Sequence, residues 1–183
     1  IDGLDNNLEL VTLNLSNNSI KTVAGLDHLP KLSTLNLSKN EISSLEDLEH
    51  LRGCASITNL DLQDNRIEDE GVIELLNSMP KLTTLYLKGN PVVRKIRHYR
   101  KSVLSQMPRL GYLDDRPVFG LERKEVEAWV TGGARAQRNV RERDRAEKAA
   151  KSKQHLQAFR EWQTRKREER LAELKRLQEE AEK

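Results

Sequence analysis

Residues 82–119 read LTTLYLKGNPVVRKIRHYRKSVLSQMPRLGYLDDRPVF, a stretch that joins one copy of a repeat to a sequence that no longer repeats. The first part follows the pattern LxxLxLxxNxL, with valine at the last position. The same pattern occurs three times upstream, at intervals of 22, 25 and 25 residues. Because a near-constant period marks a stack of equivalent structural units, a repeating array ends within this stretch.

The four copies of the pattern predict the fold. They are Leu10-Leu13-Leu15-Asn18-Ile20, Leu32-Leu35-Leu37-Asn40-Ile42, Ile57-Leu60-Leu62-Asn65-Ile67 and Leu82-Leu85-Leu87-Asn90-Val92. Four consecutive matches are specific for a leucine-rich-repeat solenoid of the α/β class, in which each repeat adds one short strand to a parallel sheet on the concave face. A single repeat cannot bury its own apolar side chains, so we also expect caps at the ends of the array.

Asparagine occupies the same position in every copy. A carboxamide can both donate and accept hydrogen bonds, so it satisfies buried backbone groups that an apolar side chain would leave unpaired. We therefore predict a structural ladder inside the solenoid rather than a polar active site. Its members are Asn18, Asn40, Asn65 and Asn90.

The segments that return over the convex side differ in length. Residues 23–29 and 45–51 carry leucine or valine at every third position, a spacing that predicts short helical or 3₁₀ turns. The return from Glu68 to Met79 is longer and predicts an α-helix.

Residues 94–119 predict a C-terminal cap with one helix and a degenerate fifth strand at residues 110–113. Asp115 stands where the pattern expects leucine, which would close the core. The residues expected on the buried face of the cap helix are Ile96, Tyr99, Val103 and Met107, and those expected largely outside it are Arg94, Lys95, Arg97, Arg100 and Lys101.

Charge is unevenly distributed along the chain, which is 36% hydrophobic and 33% charged with a formal net charge of +3. Residues 134–183 carry 16 basic and 10 acidic residues, a net charge of +6, whereas residues 1–133 carry −3. We therefore divide the chain into leucine-rich repeats (1–93), a cap (94–119), a short helix with a Gly132-Gly133 hinge (120–133) and a long basic α-helix (134–183).

The short helix would pack Val126, Trp129 and Val130 on the cap, and the two glycines would end it. Residues 134–183 contain neither glycine nor proline, so they predict a helix of about 75 Å at 1.5 Å per residue. No coiled-coil seam is sustained, because a heptad that starts at Leu156 soon places charged residues at its core positions.

Two apolar clusters remain on the tail, and leaving them in water is unfavourable. We predict that the tail binds partner proteins through them; the alternative is a solvated helix that binds nothing in particular. The clusters are Leu156, Phe159 and Trp162, and Leu171, Leu174 and Leu177.

The concave face is the second predicted binding surface. Its outward positions hold short polar side chains without a dominant charge, and Tyr86 is the one large aromatic among them. Such a surface suits a folded protein partner with Tyr86 as the anchor, although solvent or the chain's own tail is an alternative occupant. The predicted positions are Thr12, Asn14, Ser16, Thr34, Asn36, Ser38, Asn59, Asp61, Gln63, Thr84, Tyr86 and Lys88.

The sequence argues against catalysis, a cofactor and a metal site. Its four histidines lack ligand or triad spacing, and no glycine-rich phosphate loop is present. The adjacent Asp114 and Asp115 are better explained as acceptors of backbone N–H groups or partners of Arg116. The lone Cys54 excludes an internal disulfide and favours a reducing compartment, with the cytosol as the default.

Nucleic acid and membrane are weaker candidates than protein as binding partners. Aromatic residues make up only 4% of the chain, too few for a base-stacking platform beside the basic residues 94–101. No apolar run is long enough to span a bilayer. We expect the basic tail to be attracted to an acidic protein surface, such as that of tubulin. Because the chain starts without methionine inside an existing pattern, we also expect a fragment of a longer protein that lacks its N-terminal cap.

The motifs GNP, HYR and the ending PxLxxLD resemble the cap shared by several leucine-rich-repeat families, among them spliceosomal, phosphatase-regulating and axonemal proteins. Residues 112–119, YLDDRPVF, are more specific. Together with GNPVVRKI at 89–96, EVEAW at 125–129 and Gly132-Gly133, they resemble the leucine-rich-repeat dynein axonemal assembly factors of motile cilia. The resemblance extends from about residue 82 to residue 133.

This resemblance implies a non-catalytic scaffold for the assembly or docking of axonemal dynein arms, located in the cytoplasm or the axoneme. Its partners would be axonemal dynein chains, assembly chaperones or axonemal filaments, with no cofactor or small-molecule substrate. Two alternatives stay open. One is a resident axonemal component that binds dynein, tubulin or a coiled-coil neighbour, and the other is a ribonucleoprotein adaptor of the spliceosomal leucine-rich type.

Overall fold

Each repeat contributes one strand to a single sheet. The computed structural model describes Ile1 and residues 3–181, within which six strands lie side by side in sequence order. The strands are β1 (Thr12–Asn14), β2 (Thr34–Asn36), β3 (Asn59–Asp61), β4 (Thr84–Tyr86), β5 (Tyr112–Leu113) and β6 (Arg116–Pro117). β1 to β5 are parallel, whereas β6 turns back antiparallel to β5. The predicted solenoid and its fifth strand are confirmed.

The central leucines of the parallel strands are in register from one repeat to the next. Because side chains alternate between the two faces of a strand, these leucines point into the core and their neighbours point to the concave face. Leu35, Leu60, Leu85 and Leu113 are fully buried. The core therefore runs along the length of the array, between the sheet and the convex side.

The convex segments become more helical toward the C-terminal end of the array. Residues 23–29 form turns without a helix, and Gly25, at a φ of 73°, has no room for a Cβ because the Ile1 carbonyl oxygen would lie 2.6 Å away. The next return contains a 3₁₀ helix, Glu46–Gly53, and the third contains α1, Val72–Asn77. The expected 3₁₀ turn and α-helix are thus present, but the first return is not helical.

The cap contains two helices where the sequence predicted one. α2 spans Val92–Lys95 and α3 spans Tyr99–Gln106. Between them Ile96 has an extended ψ of 115° and His98 adopts the left-handed conformation, with a φ of 54°. The predicted apolar residues Ile96, Val103 and Met107 are nevertheless buried, because the break rotates α3 back onto the core.

The asparagine ladder has three buried rungs. Asn40, Asn65 and Asn90 are nearly inaccessible, and each donates to carbonyl oxygens of its own repeat and of the preceding one. Asn18, by contrast, is exposed and donates only to Leu15 and Ser16 of its own repeat. Its predicted place in a buried ladder is wrong, because no repeat packs against that side of it in the described part of the chain.

The last helix, α4, spans Gly120–Ala181 but is interrupted by Gly132 and Gly133, which lie outside helical conformations. Gly133 has a φ of 64°, a left-handed value that favours glycine. We call residues 120–131 the capping segment and residues 134–181 the tail segment. The predicted end of the tail at Lys183 lies outside the described residues.

The tail segment does not simply continue away from the cap, because its first turns fold back along the capping segment. A groove of about 450 Å³ between the two segments is lined by Leu121 and Ala128 on one side and by Val140 and Glu147 on the other. The two segments therefore form an antiparallel helix pair. Val126 is buried against the cap as predicted, but Val130 is 60% exposed, which corrects its predicted packing.

Candidate protein-binding surfaces

The concave face carries the predicted polar positions on neighbouring strands. A shallow groove of about 300 Å³ runs across the middle strands. The predicted side chains that line it are Thr34, Asn36, Asn59, Asp61, Thr84 and Tyr86. The structure therefore brings these six side chains together, whereas Thr12 and Asn14 lie beyond the groove on β1.

Three of the predicted concave residues have a structural role that sequence reasoning missed. The side-chain oxygens of Asn14, Asn36 and Asp61 accept hydrogen bonds from the backbone N–H groups two residues later, at distances of 3.0, 2.9 and 2.9 Å. Asparagine and aspartate commonly stabilise turns in this way. These oxygens hold the turn after each strand, so they are less available to a partner than the sequence implied.

Tyr86 stands at the equivalent position of β4 and cannot make this contact. Instead, the Asp114 carboxylate reaches over from the cap, and its Oδ1 accepts hydrogen bonds from the N–H groups of Leu87 and Lys88, at 2.8 and 3.0 Å. Asp114 has a left-handed φ of 53°, which directs it toward the repeat. The expectation that Asp114 accepts backbone N–H groups is correct, but Asp115 pairs with Lys88 at 2.7 Å rather than with Arg116.

Tyr86 has an aromatic neighbour that the sequence did not identify as a site residue. Its ring centroid lies 5.6 Å from that of Tyr112, and the two planes are tilted by 48°. Leu113 is in register with Leu85, so the residue before it faces the concave side. Leu110 and Leu113 align with the first two leucines of the repeat pattern. This alignment was the sequence signal that could have predicted Tyr112 on the concave face.

The aromatic pair lies beside carboxylates. Burial raises the pKa of the Tyr86 hydroxyl, and the nearby Tyr112, Asp61 and Asp115 raise it further. Burial also raises the pKa of Asp61, although the hydrogen bond from the Gln63 N–H group acts in the opposite direction. The Tyr86 hydroxyl is therefore protonated at neutral pH and can donate a hydrogen bond to a partner.

The cap is held together by Arg100, which the sequence placed outside the buried face. Its guanidinium donates to both carboxylate oxygens of Glu122 at 2.6 and 2.8 Å, and to the carbonyls of Leu113 and Pro117 at 3.0 and 2.9 Å. The Glu122 hydrogen bond raises the pKa of Arg100, despite partial burial. Arg100 thus joins α3, both cap strands and the capping segment, which corrects its predicted solvated position.

A second polar cluster, which we call the clasp, joins the cap to the tail segment. The buried Glu125 carboxylate accepts from Gln137 at 2.9 Å and pairs with Arg141 at 2.6 Å. Lys101 donates to Gln137 at 2.7 Å, and its ammonium lies 5.4 Å from the centre of the Trp129 ring. The Arg141 hydrogen bond lowers the pKa of Glu125. The sequence did not predict this contact.

The two predicted tail clusters lie on the free part of the tail segment. Beyond Asp144, every described residue is exposed. The rings of Phe159 and Trp162 stack on each other, with centroids 5.9 Å apart and planes 21° apart. Both clusters therefore contact nothing else in the described part of the chain.

The described residues offer little for other kinds of site. Within Ile1 and residues 3–181, no group of three or more histidine, cysteine or acidic side chains is arranged to hold a metal ion. No helix in the same range combines the length and the apolar character needed to cross a bilayer. Burial raises the pKa of the Cys54 thiol to about 11, so at neutral pH it is a protonated core side chain.

Comparison with known proteins agrees with the sequence resemblance. The chain is 43% identical over 121 residues to the leucine-rich repeat-containing protein ODA7 of Chlamydomonas reinhardtii. The aligned region covers 64% of this chain and 28% of that protein. It is 44% identical over 89 residues to human dynein axonemal assembly factor 1, covering 49% of this chain and 12% of that protein. The predicted resemblance to dynein axonemal assembly factors is confirmed, and the chain spans less than a third of the length of these relatives.

A solved structure and a family profile support the same fold. The Drosophila melanogaster SNF/U2A' complex contains a chain that is similar to this one with a TM-score of 0.63 and 27% identity, covering 78% of this chain and 80% of that chain. The leucine-rich repeat family profile matches residues 3–142, which include all strands and the clasp. On the repeats, the sheet and this match, the chain belongs to the leucine-rich repeat family.

Proposed function

We propose that this chain is the leucine-rich-repeat region of a non-catalytic scaffold in the assembly of axonemal dynein arms. The observation that carries the proposal is its 43% and 44% identity to proteins named ODA7 and dynein axonemal assembly factor 1. These names and the repeat family indicate a protein that works by binding other proteins. The scaffold would act in the cytoplasm of cells that build motile cilia, or on the axoneme itself.

The concave face would hold one folded partner, with Tyr86 and Tyr112 as the anchor. Large aromatic side chains on a binding face usually supply a large share of the binding energy. The neighbouring Asp61 carboxylate would favour a partner that presents a basic group to the rings, whereas Asp115 is already paired with Lys88. Axonemal dynein chains and the chaperones that fold them are the candidate occupants.

The tail segment would contact a second protein through its exposed clusters. A helix that leaves the cap in a fixed direction can hold two partners at a defined separation. This arrangement also fits a resident axonemal component, with the tail lying along tubulin or a coiled-coil neighbour. Retention of the protein on isolated axonemes after salt and detergent extraction would favour the resident role over assembly.

A ribonucleoprotein adaptor is the second candidate, supported by the fold similarity to the chain in the SNF/U2A' complex. Identity to that chain is 27%, against 43% to the protein named ODA7. The sequence YLDDRPVF at residues 112–119 also resembles the ciliary proteins. For these two reasons we rank the adaptor role second.

The proposal is tested by Tyr86→Ala and Tyr112→Ala in the protein that contains this chain, expressed in cells building motile cilia. Loss of an aromatic anchor should weaken binding by more than about 1 kcal/mol, or roughly fivefold, while the melting temperature hardly changes. Recovery of axonemal dynein heavy chains by affinity purification and mass spectrometry measures the effect.

The matched control is Thr12→Ala, at the far end of the same face, which should leave recovery unchanged. Unaltered recovery with both tyrosine variants would reject the aromatic anchor. Recovery of ribonucleoprotein particles that are lost on ribonuclease treatment, without dynein chains, would reject the ciliary role.

A further inference from the structure

Basic and acidic side chains are distributed unequally around the helix of the tail segment. At 3.6 residues per turn, both apolar clusters fall on one half of its circumference between Leu156 and Leu177. The charged residues on that half are Arg160, Lys166, Arg167 and Arg170, with Glu173 as the one acid near its edge. Within the same range, the opposite half holds Glu161, Glu168 and Glu169, together with Arg165, Lys175 and Arg176. We call the first half the basic-apolar face.

This face has no partner within the described part of the chain. Its six apolar side chains are 50–56% exposed, which is high for leucine and tryptophan. A shallow depression of about 590 Å³ joins the two clusters. Its lining residues are Trp162, Gln163, Lys166, Arg167, Arg170 and Leu171. Lys166, Arg167 and Arg170 thus lie between the two clusters.

We propose that the basic-apolar face binds an acidic α-helix of another protein, running lengthwise along the tail segment. The face extends over 22 residues from Leu156 to Leu177, or about 32 Å along the helix axis, so only an elongated partner can reach both clusters. A partner helix can place apolar side chains against each cluster and carboxylates against the arginines between them. The pattern of apolar, basic and apolar groups therefore matches an acidic amphipathic helix.

A second copy of this chain is a poor occupant of the same face. Pairing two basic-apolar faces would bring Lys166, Arg167 and Arg170 of each copy together across the interface. Like charges opposed at an interface repel each other, and only Glu173 on this face between Leu156 and Leu177 could offset them. The charge pattern therefore favours a partner of opposite sign.

An anionic membrane surface is also a poor occupant. Helices that bind membranes keep their cations on the polar side and bury a continuous apolar side. Here Gln163 and Arg170 lie at the centre of the face, between the two clusters. Insertion would move this guanidinium toward the acyl chains, whereas a protein partner can place a carboxylate opposite it.

This inference rests on the proposed function only for the idea of a protein scaffold, and it can be tested without any ciliary component. The full chain carrying Trp129→Phe keeps Trp162 as its one tryptophan, which reports contacts at the first cluster. The probe is a synthetic peptide of about four heptads with leucine at core positions and glutamate at flanking positions. The control peptide has lysine in place of each glutamate.

We expect the acidic peptide to shift Trp162 emission to shorter wavelength in a saturable titration that weakens with added salt. Arg167→Glu with Arg170→Glu on the face should weaken binding at least about tenfold. Arg165→Glu with Arg176→Glu changes the net charge equally on the opposite side, and should have less than about a twofold effect. Circular dichroism checks that both pairs of substitutions leave the helix intact.

Four results would overturn the proposal. One is the absence of saturable binding of the acidic peptide, and another is equal binding of the lysine peptide. A third is equal weakening by the two charge-reversal pairs, which would indicate attraction by net charge alone. The fourth is a Trp162 shift with a different cause. That cause would be self-association, detected by sedimentation, or binding to phosphatidylserine vesicles that the acidic peptide does not displace. None of these outcomes bears on whether the concave face binds dynein chains.

Discussion

At the scale of single residues, the repeats are joined by carboxamides that satisfy backbone groups in two repeats at once. Asn65 donates to the carbonyl oxygens of Leu37 and Leu62, at 2.9 and 3.1 Å, and accepts from the N–H group of Ile42 at 3.2 Å. All three contacts are buried. An apolar residue of similar size would leave these groups unpaired, which is why the position requires asparagine.

Replacing a buried rung should therefore destabilise the array more than replacing the exposed one. We expect Asn65→Ala to lower the free energy of unfolding by about 2–4 kcal/mol, because buried backbone groups lose their partners. Asn18→Ala, at the exposed position, should lower it by less than about 0.5 kcal/mol. Urea unfolding of both variants measures the difference, and equal losses would contradict the three-rung ladder.

At the scale of elements, the direction of the tail segment depends on the clasp and on the two glycines. Gly132 and Gly133 allow the chain to reverse, and Glu125 then receives Gln137 and Arg141 from the returning helix. Gly132 also lacks room for a side chain, because a Cβ would lie 2.8 Å from the Cβ of Ala136. The reversal of the chain thus depends on the backbone conformations of the two glycines and on the buried Glu125 carboxylate.

The clasp should make stability depend on pH in a defined direction. In the folded protein the pKa of Glu125 lies below its ordinary value of 4.5. The ionised carboxylate therefore stabilises the folded state fully above pH 4.5, and this contribution is lost as the pH falls through the lower folded-state pKa. We expect the difference in free energy of unfolding between wild type and Glu125→Gln to be clearly smaller at about pH 2 than at pH 7, because lowering the pH protonates Glu125. Urea unfolding at both pH values measures it.

Glu142→Gln provides a control on the same helix pair, since Glu142 is exposed. This substitution should change stability little at either pH. A difference for Glu125→Gln that stays constant between the two pH values would show that the carboxylate charge does not hold the clasp.

At the scale of the whole molecule, a packed head carries a helix that is mostly free. The last buried residue of the tail segment is Gln137, and every described residue after Asp144 is exposed. The 34 residues from 148 to 181, which lie beyond the groove lined by Glu147, extend about 51 Å from the head at 1.5 Å per residue. The tail segment therefore has a fixed base and a free end, which suits a rigid arm between two partners.

Two truncations separate the base from the free end. Removing residues 148–183, which begin after the last residue that lines the groove, should change the free energy of unfolding of the head by less than about 0.5 kcal/mol, because every described residue among them is exposed. Removing residues 134–183 should lower it clearly, because Glu125 and Lys101 lose Gln137 and Arg141. Denaturant unfolding followed by Trp129 fluorescence measures both, and equal effects would mean that the free end packs on the head.

Much of the fold could be predicted from the sequence, because it repeats. The period gave the strands, their register and the three buried rungs, and local spacing gave α1 and the 3₁₀ helix. The candidate site could be predicted only in part. Tyr86 and the tail clusters follow from side-chain alternation and helical spacing, whereas their roles in binding stay predictions. Tyr112, Arg100 and the clasp were missed because each depends on contacts between elements outside the repeat pattern.

The sequence by itself determined the features set by short-range order: the leucine at the centre of each strand, the asparagine that joins neighbouring repeats, and the helical tail. Tertiary structure decided how the array ends. Asp114 accepts the backbone hydrogen bonds of the turn after β4, which Tyr86 cannot accept. Arg100 donates hydrogen bonds to the cap strands, and Glu125 forms an ion pair with Arg141 of the tail segment. The physical reason is that periodicity encodes which face of an element is buried, while a polar contact between distant residues requires their backbones to be positioned first.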